Sequence, residues 1–535
     1  MNSLVTDTPL AEIRPKLLES KAFHLNHLEN INTPDEELQY RLQLLRDLYF
    51  VIKDNESAIT DALIKDFHRS KTETYLLEIS TLLNNITLLI ANLPKWFSPV
   101  KKSAGWSSVA FLFSHVKVER IPLGTVCVIS PCNFPVLLSI DPIASALAGG
   151  NSVVWKPSEL TPQTSALLTR LLTEKFGTGS RKGLLNIVCG GVPETTELLK
   201  NTDLMDKIFY TGSTKVGKIV SKAAAENLVP VTLELGGKSP VFVTEHFNKK
   251  DLTTIVKRIF FGAFSNSGQV CVACDYLLVH ESIYDIFLMK AKEIFDQFYK
   301  DIDSEAEFTH LINRAAYNKI QDILQKTEGD KYSIPGINSD EKTLFVPPTL
   351  IFDVTWDDSS MLEENFGPIL PILKYSNLTA TLKNIVEKHD TPLVQYIYSN
   401  NETEIQYILR MLRSGGCSIN DSLVHVGFPD APFGGIKNSG IGGYYHGEDG
   451  YDCFTNKRTI FKQPFFVDKL TLDARYPPYG DSKIKLSKLA MEPSIWFKRT
   501  GDVPTHTKSF LLRGGISILV LSASLLVYFF FKRTS

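Results

Sequence analysis

Two cysteines stand three positions apart in "FSNSGQVCVACDY", residues 264 to 276, within a small and polar stretch. That spacing suits three chemistries: Cys271 and Cys274 could clip a metal, form a redox dithiol, or be one nucleophile beside a bystander. A thiolate is the useful nucleophile, and Cys271 is expected close to a helix whose N–H dipoles ease its ionisation. In "LELGGKSP", Glu234 sits at an expected strand end just ahead of Gly236 and Gly237. A carboxylate followed by two flexible residues can approach and leave a reacting centre as a general base, although an ordinary surface Glu reads the same way. "SPCNFP" offers the Asn133 amide to a developing oxyanion. "WKPSEL" offers Lys156 to a phosphate or ribose and Glu159 to ribose hydroxyls. "EENFGPILP" adds Glu364 and Phe366, and "APFGGIKNSGIGGYYHG" surrounds Phe433 with glycine.

These groups need a scaffold that also holds a nucleotide, yet no G-x-G-x-x-G occurs anywhere in the chain. "GSTKVGK", Gly212 to Lys218, nearly matches a Walker loop, but Ile219 stands where magnesium needs a hydroxyl, which argues against an NTPase. What remains of Gly212, Ser213, Thr214, Lys215, Val216 and Gly217 is a strand, a tight turn and a helix N-terminus, a ready phosphate site. Alternatively, Gly212 and Gly217 only let strand and helix pack closely. Around it, "GTVCVIS", "NSVVWKPS", "GLLNIVCG", "KIFYTGS" and "VPVTLELG" read as strands separated by helical patterns, the signature of a doubly wound parallel sheet. A second α/β region from about 239 to 440 repeats the style with "SPVFVT", "TIVKRIFFGAFS" and "DYLLVHESI". Ahead of both, apolar residues recur at helical spacing from Glu36 to Lys95, predicting two or three long helices.

The 535 residues carry a formal net charge of -2, which leaves no basic footprint for nucleic acid. Seven cysteines are few and odd in number, which suits a reducing compartment. The N-terminus lacks an apolar signal region and carries Asp7, Glu12 and Glu19, unlike a secretory or matrix-targeting leader. Residues 514–531, "GGISILVLSASLLVYFFF", hold no charge and lie between Arg513 and Lys532. As a helix they would cover roughly 27 Å, close to a hydrocarbon core of about 30 Å. A tail anchor over 511–531 is therefore expected, with a buried C-terminal helix as the alternative. The basic stretch 466–510, with Lys483, Lys485 and Lys488, is either a solvated helix or a juxtamembrane segment on anionic headgroups.

Taken in order, "NFP", "KPSE", "GSTKVG", "LELGGKSP", "GQVC" and "EENFGP" make the chain resemble the aldehyde dehydrogenase superfamily from about Tyr40 to Lys462. "RYPPY" and the hydrophobic tail make it most similar to the class 3 branch, and within that to membrane-anchored fatty aldehyde dehydrogenases of fungal type. The resemblance implies a Rossmann-like domain that binds NAD without the glycine fingerprint. It implies Cys271 as nucleophile, Glu234 as general base and Asn133 as oxyanion donor. It also implies Lys156 and Glu159 at the adenosine ribose, Gly212 to Gly217 at the pyrophosphate, and Glu364 and Phe366 at the nicotinamide half. An acidic Glu159 disfavours a 2′-phosphate and so favours NAD over NADP.

The domain layout expected on this basis is an NAD-binding part over 1–238, a catalytic part over 239–445 and a bridging segment over 446–465. A homodimer would exchange sheet contacts near 110–120 and 453–462. Expected substrates are long-chain fatty aldehydes such as hexadecenal, with medium-chain or aromatic aldehydes as the alternative. The expected location is the mitochondrial outer membrane facing the cytosol, with endoplasmic reticulum, endosome or lipid droplet as alternatives. Two rivals compete: an idle membrane scaffold of the same fold, and a zinc module using Cys271, Cys274, Cys127 and Cys132. Cys132 stands where relatives carry an aromatic residue, and Cys274 matches no catalytic group of the family. If Cys274 reaches Cys271, a disulfide between them would switch the enzyme off reversibly.

Overall fold

The computed structural model describes residues 6–103, 111, 113–302, 308–468, 475–491 and 499. The described residues fall into two compact units, one within Met1–Phe97 and Ile121–Asn456 and one within Ser98–Arg120 and Lys457–Ser535. In chain order the strands are β1 (Val100–Lys102), β2 (His115–Pro122), β3 (Thr125–Ile129), β4 (Ser152–Lys156), β5 (Leu185–Ile187), β6 (Lys207–Thr211) and β7 (Val231–Glu234). There follow β8 (Pro240–Val243), β9 (Tyr276–His280), β10 (Asp330–Tyr332), β11 (Thr349–Phe352), β12 (Ile369–Tyr375), β13 (Val394–Tyr398), β14 (Gly416–Ile419), β15 (Gly440–Ile441) and β16 (Thr455–Lys462).

The first sheet of the larger unit runs β15-β7-β6-β3-β4-β5. Its core strands β3, β4 and β6 are buried along their whole length, as expected of parallel strands covered by helices on both faces. The chain winds outward from β3 to β5, then returns to place β6 on the other side of β3. Strand order thus reverses between β3 and β6, and the crevice beyond their carboxyl ends is where such sheets take a nucleotide. The second sheet runs β10-β11-β12-β9-β8-β13-β14, parallel except for β10.

The helical N-terminus resolves into Pro34–Asp54, Glu56–Phe67 and the continuous run Lys71–Phe97. Thr33 caps the first of these by accepting the Glu36 N–H. The third is long and apolar enough to cross a membrane, but Leu82, Ile86, Leu89 and Leu93 join the core beneath the first sheet, so it is a core helix. A single π-helical turn, Tyr75–Ile79, interrupts it and carries Glu78 into the interior.

A fourth helix, Leu10–Asn30, was not anticipated from periodicity. It buries only Ile13, Leu17 and Ser20 and carries Pro15 within it, too little for a helical stripe to show in the sequence. Docking holds it instead: Asn186 Nδ2 donates to Lys16 O at 2.9 Å and to Ser20 Oγ at 3.0 Å, and Arg14 pairs with Asp203 at 3.0 Å.

Residues near the expected end of the catalytic part return to the first sheet. Gly440 and Ile441 pair antiparallel with Glu234 and Leu233, covering the edge that β7 would otherwise expose. The helix Gly447–Cys453 then sends Tyr451 into the same core, where it stacks on Trp96.

The smaller unit contains the sheet β1-β2-β16, so strands stand at both regions assigned to subunit contact. Within it Arg458 pairs with Glu119, and Phe111 and Phe461 meet edge to face at 6.0 Å. The basic segment forms the helix Asp481–Met491. The tail expected over 511–531 lies outside the described residues.

Candidate active site

The site lies where the carboxyl ends of β3 and β7 face the amino ends of β8, β9 and β12. β3 ends in the loop that carries Asn133, and β7 ends in Glu234. Lys238 precedes β8, the Cys271 loop precedes β9, and Glu364 with Phe366 precedes β12.

Asn133 is buried, and its Nδ2 donates to Gln269 O at 3.0 Å, two residues before the thiol. An amide nitrogen carries two hydrogens, so one remains for an oxyanion. The loop that delivers Cys271 leaves the helix Leu252–Phe264 through three residues with positive φ: Asn266 at 52°, Ser267 at 55° and Gly268 at 71°. Such a run is costly for Asn and Ser, and it is held by side-chain bonds. The Asn266 N–H donates to Glu73 Oε1 at 2.9 Å, and Gln269 Nε2 donates to His310 O at 3.0 Å.

Cys271 therefore follows a tight turn and does not open a helix. Burial pushes its thiol up to about 12, with the nearby carboxylates of Glu364 and Glu234 acting in the same direction. The expected easy ionisation from helix dipoles is overturned, first by that burial and then by those two acids. Glu234 is 3 % exposed, neither of its oxygens has a hydrogen-bond partner, and burial raises its pKa well above the carboxylate range.

Glu364 lies against Gly236 and accepts the Gly237 N–H, while its Oε1 is buried without a partner. Burial and then Asp275 raise its pKa to about 8. Lys238 ties this side together: its Nζ donates to Asp275 Oδ2 at 2.7 Å, Ser360 O at 2.7 Å and Glu363 O at 2.9 Å. Asp275 Oδ1 in turn accepts the Asn365 N–H at 2.9 Å, and Phe366 follows with φ of 53°. The thiol loop and the Glu364 loop are thus stapled through one buried ion pair.

On the nucleotide side, Lys156 closes β4 and its Nζ contacts Glu159 Oε2 at 2.6 Å, with Glu159 half-exposed. Gly212 and Ser213 form the turn after β6, and Ser213 caps the helix Thr214–Glu226 by accepting the Val216 N–H. Thr214 Oγ1 donates to Asn438 O at 3.1 Å, and Gly217 lets the helix approach Leu235. A dinucleotide fits these residues: a helix N-terminus for phosphate, a lysine–carboxylate pair at a strand end, and an orphaned Glu364 oxygen to accept from a ribose hydroxyl.

The aldehyde dehydrogenase family profile matches residues 33–460. The chain belongs to the aldehyde dehydrogenase family. It is 47% identical over 514 residues to a fatty aldehyde dehydrogenase of Saccharomyces cerevisiae, covering 96% of this chain and 95% of that protein. Aldehyde dehydrogenase family 3 member A2 of Pongo abelii is 37% identical, over 84% of this chain and 89% of its own. Among solved structures, the substrate-bound AldH of Staphylococcus aureus aligns with a TM-score of 0.81 at 35% identity, over 89% of this chain and 99% of that one. The protein is thus an aldehyde-oxidising oxidoreductase, and its family uses a nicotinamide dinucleotide as oxidant.

In this aldehyde dehydrogenase the four thiols of the zinc reading do not gather. Cys127 is inside β3 among apolar neighbours, and no cluster of three or more metal-ligating side chains occurs among the described residues. Cys274 is turned toward Gly262 and donates to Ser422 Oγ at 3.2 Å, so it packs on the helix behind the loop. Cys132 is half-buried beside Asn133, with its thiol pushed up to about 11 by burial. The reading of the sequence missed Lys238, Asp275, Asn266 and Gln269, although "GGKSP", "CDY" and "NSGQ" abut the motifs it used. It also missed Arg69 and Glu78, which carry no local signal.

Proposed function

We propose that this aldehyde dehydrogenase oxidises long-chain fatty aldehydes to fatty acids, with Cys271 as nucleophile, Glu234 as general base and Asn133 as oxyanion donor. The observation that carries the catalytic part is the convergence of these three residues at one strand-end crevice, with Asn133 hydrogen-bonded to the thiol loop. The Cys271 thiol gives up its proton to solvent, the sulfur attacks the aldehyde carbonyl, and the oxyanion is held by the free Asn133 N–H and the Cys271 backbone N–H. A dinucleotide bound there would supply the hydride acceptor needed for the thiohemiacetal on sulfur to become a thioester. Glu234, once ionised, is a stronger base than an ordinary carboxylate because its pKa is raised; it takes a proton from water, and the resulting hydroxide equivalent releases the acid. Glu364 and Phe366 would orient the nicotinamide half, Gly212 to Gly217 would hold the pyrophosphate, and Lys156 with Glu159 would hold the adenosine ribose. Glu159 at that ribose favours NAD over NADP.

The chain-length preference is supported by the similarity to the Saccharomyces cerevisiae fatty aldehyde dehydrogenase and by the uncharged run 514–531, which would fix the enzyme at the surface where such aldehydes dissolve. A tail anchor in the mitochondrial outer membrane and a homodimer through β2 and β16 complete the reading. Replacing Cys271 by Ser tests the chemistry: aldehyde oxidation is lost while NAD still binds, and robust activity in that variant would sink the assignment. Comparing kcat/KM for hexadecenal, hexanal and benzaldehyde tests the substrate. A preference for benzaldehyde refutes the lipid reading.

A further inference from the structure

We infer that Arg69 is a positioning residue for aldehyde oxidation: its guanidinium holds Asn133 and the Cys271 loop in register with each other. The inference rests on the catalytic roles proposed above, and its own evidence is the hydrogen-bond network.

Arg69 follows His68, which ends the helix Glu56–Phe67 at φ of 56° and turns the chain inward. The arginine side chain is fully buried, with Phe67 and Phe134 on its faces at 4.6 and 5.1 Å. Its donors are distributed over three separate segments. Nη1 pairs with Glu78 Oε1 in the π-helical turn. Nε and Nη2 reach Asn266 Oδ1 at 3.1 and 2.6 Å, in the left-handed turn of the thiol loop. Nη2 also reaches Asn133 O at 2.5 Å.

Each partner passes the constraint onward. Glu78 Oε2 accepts the Val136 and Leu137 N–H groups at 2.8 and 2.9 Å, capping the helix Leu137–Ala148 that follows Asn133 and has no side-chain cap of its own. Asn266 Nδ2 donates to Asn133 O at 3.0 Å and to Gln269 O at 3.1 Å, the same carbonyl that receives Asn133 Nδ2. The oxyanion donor and the nucleophile's loop are therefore fixed to one rigid planar cation. Lysine keeps the charge for Glu78 but cannot present the flat fork that serves Asn266 and Asn133 together. Its ammonium leaves the Asn133 amide free to drift relative to the sulfur. Misplacement of about 1 Å in such a constellation costs on the order of 10²-fold in rate.

The test is a double-mutant cycle on the full-length protein between Arg69→Lys and Asn133→Ala, with folding checked by circular dichroism. Arg69→Lys alone is expected to lower kcat about 10- to 100-fold. The KM for NAD should stay within about twofold, since uniform binding is untouched. In the Asn133→Ala background, Arg69→Lys should cost no more than about twofold further, because the two act as a unit. If kcat is unchanged in folded Arg69→Lys, or the two losses multiply, the inference is overturned. Should Arg69→Lys fail to fold, Asn266→Ala removes the shared acceptor while leaving the Arg69–Glu78 pair, and the same non-additivity with Asn133→Ala decides. An Asn133→Ala enzyme with wild-type kcat would overturn the oxyanion role itself, which separates that failure from this one.

Discussion

The Glu364 carboxyl rests against the Cα of Gly236, so that a Cβ at that position would fall 2.3 Å from Oε2 and 2.6 Å from Oε1. Gly236 follows Glu234, the proposed general base, by two residues, and Glu364 belongs to the loop before β12, so the pair joins the two sheets at the site. Replacing Gly236 by Ala has only the end of a flexible side chain to displace, which spares the fold and moves the carboxylate. Gly236→Ala is expected to melt within a few degrees of wild type while its kcat/KM for NAD falls about tenfold, as for a displaced positioning group. Steady-state kinetics with varied NAD check this, and unchanged kinetics would remove Glu364 from the nicotinamide half.

The two buried acids also set a pH dependence. Glu234 and Glu364 have native pKa values above their unfolded ones, about 8 for Glu364. A raised acid binds more protons in the folded state, so its contribution to stability is full below the unfolded pKa and is lost as pH rises through the native value. Glu364→Gln should therefore raise the melting temperature more at pH 8 than at pH 5. For Glu234→Gln the same order holds, with deacylation abolished. Melting curves at the two pH values read both, and a larger gain at pH 5 would reverse the assigned sign.

What could be read in the sequence was short-range. Cys271, Glu234, Asn133 and Glu364 each stand in a motif whose glycine, proline or strand pattern is local, and the alternation of "GTVCVIS" with its neighbours is enough to place Asn133 and Glu234 at strand ends. The groups that hold them were not legible, because their partners are remote. Arg69 meets Asn266 across 197 positions, and Glu78 reaches it only through a π-helical turn that no periodicity announces. The ionisation of Cys271 was misjudged for the same reason: a local loop suggested helix dipoles, while burial beneath remote segments dominates, with Glu364 and Glu234 adding to it. The helix Leu10–Asn30 escaped notice because docking bonds, and not an apolar stripe, hold it.

Removing one partner of a buried ion pair is costly, and Lys238 with Asp275 offers a clean case. Both side chains are at most 5 % exposed, and Lys238 also satisfies two backbone carbonyls of the Glu364 loop. Lys238→Met leaves Asp275 charged and buried, which is expected to cost about 3–5 kcal/mol. Urea denaturation measures it. A loss below about 1 kcal/mol, the size for an exposed pair, would mean that the pair is not buried in solution.

Cys274 provides the sharpest contrast with its neighbour. Its Sγ donates to Ser422 Oγ, which also pairs with Tyr398 Oη at 2.7 Å, and the sulfur fills the space above Gly262. A thiol engaged on that side has to leave a packed niche before it can form a disulfide with Cys271, whose geometry requires Cβ atoms about 3.8 Å apart. Cys274→Ala is therefore expected to keep kcat within about twofold, since it touches no reacting group, and to cost about 1 kcal/mol for a lost hydrogen bond and a small void. Peroxide should inactivate both proteins by oxidising Cys271 to a sulfenic acid, and an added thiol should restore both equally, because that acid is reduced without a resolving cysteine. Activity recovered with and without dithiothreitol reads the comparison. Rescue in wild type that disappears in Cys274→Ala would establish a Cys271–Cys274 disulfide and overturn the placement of Cys274 as a packing residue.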